Sequence, residues 1–134
     1  ISGPLLDRID IHLEVPAVSF DELADNTSQG TSSDAMRKDV IRARDQQATR
    51  FHDQPTRYNA QMTSRQVRSH CPIDRVCRQM LRHCVEELGL SARAHDKILR
   101  VARTIADVAD DQQISEMHLA EAISYRSLDR DLWI

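Results

Sequence analysis

The sequence predicts a mainly α protein: a small helical bundle preceded by one orphan β-strand and a polar linker. Three observations carry this. Beyond residue 34, apolar residues recur at three- and four-residue spacing between capping signals, the pattern of amphipathic helices. Aromatic residues make up only 4% of the chain while 40% of it is apolar, so the core must be Leu, Ile, Val, Ala, Met and Cys, which suits small helical layers. Only one stretch, Ile9-Asp10-Ile11-His12-Leu13-Glu14-Val15, alternates apolar and polar residues strictly, as a half-buried strand does. At 134 residues the chain has the length of one domain.

Residues 1–18 read as loop and strand. Arg8 stands at the mouth of the strand, where functional side chains are often placed. An ion pair with Asp7 or Asp10 is the plain alternative. Pro16 removes a ladder donor and ends the strand. A single strand is not stable alone, and no second one follows. Its partners are therefore expected outside this chain, which begins at Ile1 and reads as a piece of a longer protein. Left with unpaired edges, the strand is expected displaced, packed on the bundle or paired with another chain. Residues 19–34, rich in Ser, Thr, Asp and Gly, read as a flexible linker.

Residues 35–134 read as the helical domain. Its first helix runs from about 33 to 51 with Ser33 as the N-cap. Met36, Val40, Ala43 and Phe51 make a thin apolar side among Arg37, Arg42, Arg44 and Arg50, so this helix is expected to be well exposed. Residues 53–62, with Pro55 and Asn59, read as a loop. Thr63-Ser64-Arg65-Gln66 fits a capping box and opens a short helix ending near Cys71. Pro72 is placed in the first turn of the next helix. That helix carries Ile73, Val76, Cys77, Met80, Leu81, Cys84, Val85 and Leu88 on one side, and Gly89 ends it. Ser91 caps a helix from 92 to about 109 with the stripe Ile98, Val101, Ala102, Ile105 and Val108. Asp110-Asp111-Gln112 turns the chain. Ser115 caps the last helix, where Ile114 and Leu119 form a hydrophobic staple and Leu119, Ala120, Ala122 and Ile123 face inward. Helices on short loops make a small bundle.

The chain has 18 basic and 21 acidic residues, a formal net charge of −3, so no overall basic excess asks for nucleic acid. Every basic residue except Lys38 and Lys97 is arginine. With three unpaired-spacing cysteines, no signal peptide and no membrane-length apolar run, the chain reads as cytoplasmic with no membrane partner. His70, Cys71, Cys77, His83 and Cys84 raise zinc, but they lack the close ligand pairs of a tetrahedral site, so no metal is assigned. Cys77 and Cys84, two helical turns apart, read as small core residues. His12, His52, His95 and His118 read as surface residues, and Arg100/Arg103 and Arg126/Arg130 as solvated faces.

Arg93 stands in the first turn of the helix that follows Ser91. A cation there is unfavourable by about 0.3–1 kcal/mol, whereas an anion such as a phosphate is favoured. A salt bridge to Asp96 is the plain alternative. Five arginines between 65 and 82, with those on the first helix, keep open a helical nucleic-acid-binding module. Charges on opposite sides of helices, the net charge of −3 and the few aromatics for stacking stand against it.

Three segments resemble a known family. Ser2-Gly3-Pro4-Leu5-Leu6-Asp7-Arg8-Ile9-Asp10 resembles the segment before the last core strand of magnesium-chelatase-type AAA+ ATPases. LSARAHDKILRVARTIAD, from residue 90, resembles the lid helix of that group, and HLAEAISYRSLDR, from residue 118, its ending. More narrowly, the chain looks like the C-terminal part of the competence-associated ComM/YifB proteins; the likeness is weak over 19–34 and around the cysteines. The resemblance implies that 1–18 is the end of the AAA+ core, with finger segment and last strand, and that 35–134 is the C-terminal helical lid.

It also implies roles. Arg8 matches the arginine finger, acting in trans on the nucleotide of the neighbouring subunit, and Arg93 matches the lid's sensor-2 arginine. Phosphoryl transfer spreads negative charge over the γ-phosphoryl oxygens, and a guanidinium there is worth roughly 10³–10⁵ in rate in related systems. ATP and Mg²⁺ are implied for the full-length parent. Its implied partners are neighbouring subunits of a hexameric ring, and DNA, as in a branch-migration helicase of natural transformation. The lid of a true magnesium chelatase subunit is the other family reading. This chain contains no G-x-x-x-x-G-K-[ST] loop and no acidic Walker B strand, so alone it is expected to bind none of these cofactors and not to hydrolyse ATP.

Overall fold

The computed structural model describes residues 3–25 and 30–126. Ser2, residues 26–29 of the expected linker and residues 127–130 of the matched ending, Arg130 among them, lie outside the described residues. Within them are seven α-helices: α1 (Gly3–Arg8), α2 (Phe20–Ala24), α3 (Ser33–Arg50), α4 (Ser64–His70), α5 (Arg75–Leu88), α6 (Ala92–Val108) and α7 (Glu116–Ser124). A 3-10 turn, Asn59–Gln61, interrupts the loop after α3.

The expected strand does not form. Residues 9–19 run without regular structure, and no strand occurs among the described residues. A strand's backbone groups need a neighbour, and none is present, so the alternating pattern finds no sheet. Leu13 and Val15 point to solvent, 65% and 82% exposed. The segment packs on the bundle instead. The His12 N–H donates to Tyr125 C=O (2.6 Å), and His12 Nε2 donates to Leu6 C=O (3.1 Å). His12 is thus buried rather than a surface residue. Upstream, residues read as loop form α1, with Pro4 tolerated in its first turn. The polar segment 19–34 includes the short α2, closed by a capping box between Ser19 and Glu22, yet none of its residues is buried.

The bundle is organised around α6. Ala94, Ile98, Ala102 and Ala106 repeat every four residues and are essentially inaccessible. Small alanines on this ridge let neighbouring helices approach closely, and α6 packs against α3, α4, α7 and the 3-10 turn. Phe51, Met62, Val67, Cys71, Cys77, Leu81 and Leu119 complete the core.

The capping signals carry over in chemistry and shift in position. Thr63 and Gln66 form the expected capping box, Ser91 caps α6, and Gly89 ends α5 with φ of 59°. Ser32, not Ser33, caps α3. Pro72 lies outside α5, because the Asp74 carboxylate accepts the Cys77 N–H (2.8 Å) and sets the start there. On α7, Ala120 is exposed and His118 is buried in its place. His118 completes the Ser115 capping box, its Nδ1 accepting the Ser115 N–H (3.0 Å) while Nε2 donates to Asp111 (2.8 Å).

Candidate functional site

The N-terminal half of α6 brings the sequence-expected residues together. The Ser91 hydroxyl accepts the Ala94 N–H (3.1 Å), which fixes the helix start, and donates onward to Asp7 of α1 (2.9 Å). Arg93 follows in the first turn, its side chain 56% exposed and Nη1 3.9 Å from the Asp7 carboxylate. One turn on, the Lys97 ammonium pairs with Asp10. Arg100 donates twice to Met62 C=O (3.0 and 2.8 Å). Arg93, Lys97 and Arg100 recur at four and three residues, so they share one face of the helix. With Ser64, Ala92 and Asp96 they line an open groove of about 350 Å³.

The alternatives read from sequence resolve differently from expectation. Arg93 does not pair with Asp96. That carboxylate accepts from the Ser64 hydroxyl (2.6 Å) and from His95 Nδ1 (3.1 Å). Burial opposes ionisation of Asp96, but these hydrogen bonds outweigh it and hold its carboxyl below the ordinary value. Arg8 pairs with neither Asp7 nor Asp10, since both acids face α6. It ends α1 exposed, with no ion pair or hydrogen bond among the described residues. The Asp7 carboxylate, 3.9 Å from Arg93, ties the end of α1 to the start of α6.

Sequence reasoning missed the strongest polar cluster. Asp107 is fully buried. It accepts two bonds from Arg50 (2.7 and 2.8 Å), one from Arg103 Nε (3.2 Å) and one from Asn59 Nδ2 (2.8 Å). Arg103 also donates to the carbonyls of Asp111 (2.7 Å) and Gln112 (2.9 Å). Every partner is satisfied, which is how a buried charge is tolerated. This cluster locks α3 to α6. Arg103 and Arg126, read as solvated, are both buried; Arg126 donates to Ile9 C=O and ties the N-terminal arm to the end of α7. The only signal in the sequence was the i,i+4 spacing of Arg103 and Asp107. Burial pushes the thiols of Cys71 and Cys77 up to about 11, the state of core residues rather than reactive ones.

Fold and groove together define a small helical domain whose central helix presents cations at an open N-terminal end. Residues 30–126 match the family described as magnesium chelatase, subunit ChlI C-terminal. The chain is 40% identical over 97% of its length to the uncharacterized protein YifB of Salmonella typhimurium. It is 38% identical over 97% to YifB of Escherichia coli, and 37% identical over 97% to the competence protein ComM of Haemophilus influenzae. It belongs to the magnesium-chelatase-like family, as the C-terminal region of its ComM/YifB group. The chain spans 25% of the length of these curated relatives.

Proposed function

We propose that this chain is the finger-and-lid region of a ring-forming, cytoplasmic AAA+ ATPase that couples ATP hydrolysis to the remodelling of DNA. The observation that carries the reading is the exposure of Arg8 at the end of α1, where neither Asp7 nor Asp10 engages it. Arg8 is exposed and uncommitted, as a side chain must be if it is to reach the nucleotide of a neighbouring subunit. Arg93 stands in the first turn of the lid helix, half exposed at a helix N-terminus that favours negative charge. Arg8 would stabilise charge developing on the transferred phosphoryl group, and Arg93 would hold the lid on the phosphates. ATP, Mg²⁺ and most phosphate contacts belong to segments outside this chain, and the ring is taken as a hexamer. The competence protein among the relatives favours DNA as the material acted on, over the porphyrin chemistry of a true chelatase. Among the described residues no helix is long and apolar enough to cross a membrane.

Arg93→Ala in the full-length protein tests the lid half of the reading. ATP turnover is expected to fall by about 10²-fold or more, as for loss of one charge-stabilising donor. Arg93→Lys should recover only part of it, because an ammonium lacks the fork. Unchanged turnover in Arg93→Ala would reject the lid role.

A further inference from the structure

One set of exposed cations is used by neither the core nor the groove. Arg65 and Arg68 on α4, and Arg75, Arg78 and Arg82 on α5, are all exposed. Among the described residues none of the five has an ion-pair or hydrogen-bond partner. Other arginines of the bundle are committed: Arg42, Arg50, Arg100 and Arg103 all donate to named oxygens. Residues 63–84 hold these five arginines and one acid, Asp74, a local charge of +4 within a chain of net −3. Asp74 is already committed to capping α5 through the Cys77 N–H.

Geometry gathers the α5 arginines. Arg75, Arg78 and Arg82 are spaced by three and four residues, so they form one stripe beside the buried Cys77 and Leu81 side. At 1.5 Å per residue the stripe is about 10 Å long. Like charges at this spacing repel by a few tenths of a kcal/mol per pair. Asp74 is committed to its cap and Glu86 stands only beyond Arg82, so the stripe keeps a positive charge that suits a partner of opposite charge. The stripe holds no aromatic platform for unstacked bases, and Tyr58, elsewhere, is already covered by Arg44 at 4.0 Å. Nor does it centre on the apolar core typical of a protein interface. A continuous polyanion read through its charge alone fits best.

We propose that the α5 arginine stripe, joined by Arg65 and Arg68 of α4, binds the phosphodiester backbone of duplex DNA, without sequence preference. This deepens the motor reading, on which the DNA substrate rests, by naming the surface that holds the backbone. The test needs no ATP. Binding of this chain to a short fluorescein-labelled duplex is followed by anisotropy across about 50–200 mM salt. If all five arginines meet phosphates, log affinity falls linearly with log salt at a slope of about −4.5. The triple variant Arg75→Gln, Arg78→Gln, Arg82→Gln should flatten that slope by about 2.7. Far-UV circular dichroism checks its fold, and the three single variants, each flattening the slope by about 0.9, serve if it does not fold. Arg37→Gln with Lys38→Gln, exposed cations on α3, should bind as the unaltered chain does. The proposal is overturned if the chain shows no salt-dependent binding, if the triple variant keeps the full slope, or if the α3 variant loses as much. Failure here leaves turnover in Arg8 and Arg93 variants unaffected, and loss of those roles leaves this binding result standing.

Discussion

The N-terminal arm, residues 3–25, and the bundle, residues 33–126, use the same kinds of apolar residue to opposite ends. In the bundle Ile98, Leu119, Cys77 and Val67 are all but inaccessible. In the arm Leu6 is buried, but Leu13, Val15, Phe20 and Leu23 are 65–82% exposed. The arm is held by polar links instead: Asp7 to Ser91 and Arg93, Asp10 to Lys97, Ile9 to Arg126, and His12 to Tyr125. A helix makes its backbone hydrogen bonds within itself and needs only a surface for its stripe. A strand pattern needs neighbours that the described residues do not supply. The bundle is therefore self-sufficient, and the arm is docked on it.

Replacement of Asp107 should strike the bundle hardest. Asp107→Ala leaves the buried Arg103 and the half-buried Arg50 without their carboxylate and should cost about 3–5 kcal/mol, read by chemical denaturation. Leu119→Ala should cost about 2–5 kcal/mol through the cavity it leaves. Ser91→Ala lies at the junction. It should cost about 1 kcal/mol as a lost cap, and it also removes a tether to Asp7, so hydrogen exchange in residues 3–12 should rise alongside.

A smaller effect separates the regions by pH. Burial, helped by the Arg50 charge, holds the His70 pKa below its ordinary 6.5. The unfolded chain then takes up a proton that the folded bundle resists. Stability should fall as pH drops through 6.5 and level off below the folded value, and His70→Gln should remove that component. Least of all, Leu13→Ser with Val15→Ser should change stability by no more than about 0.5 kcal/mol each, since both side chains already meet water. A large loss there would show the arm to be part of the core.

How far the sequence could be read follows the same division. Helix ends were legible at Thr63, Gly89, Ser91 and Ser115 because caps are local chemistry. The alternation at 9–15 was legible as a pattern, but whether it pairs depends on groups elsewhere. The Arg50–Asp107–Arg103 cluster joins residues 57 apart in sequence, and no local rule marks such a contact. At the candidate site, Arg93 was legible from its place in a first turn. The commitment of Asp7 and Asp10 to α6, which leaves Arg8 uncommitted, appears only in three dimensions.

ATP turnover by the full-length protein carrying Arg8→Ala tests the central claim most directly, with nucleotide binding and ring assembly followed alongside. The account predicts a loss of about 10³-fold or more in turnover while ATP still binds and rings still form. Unchanged turnover would contradict it, leaving Arg8 a surface charge at the end of a short helix.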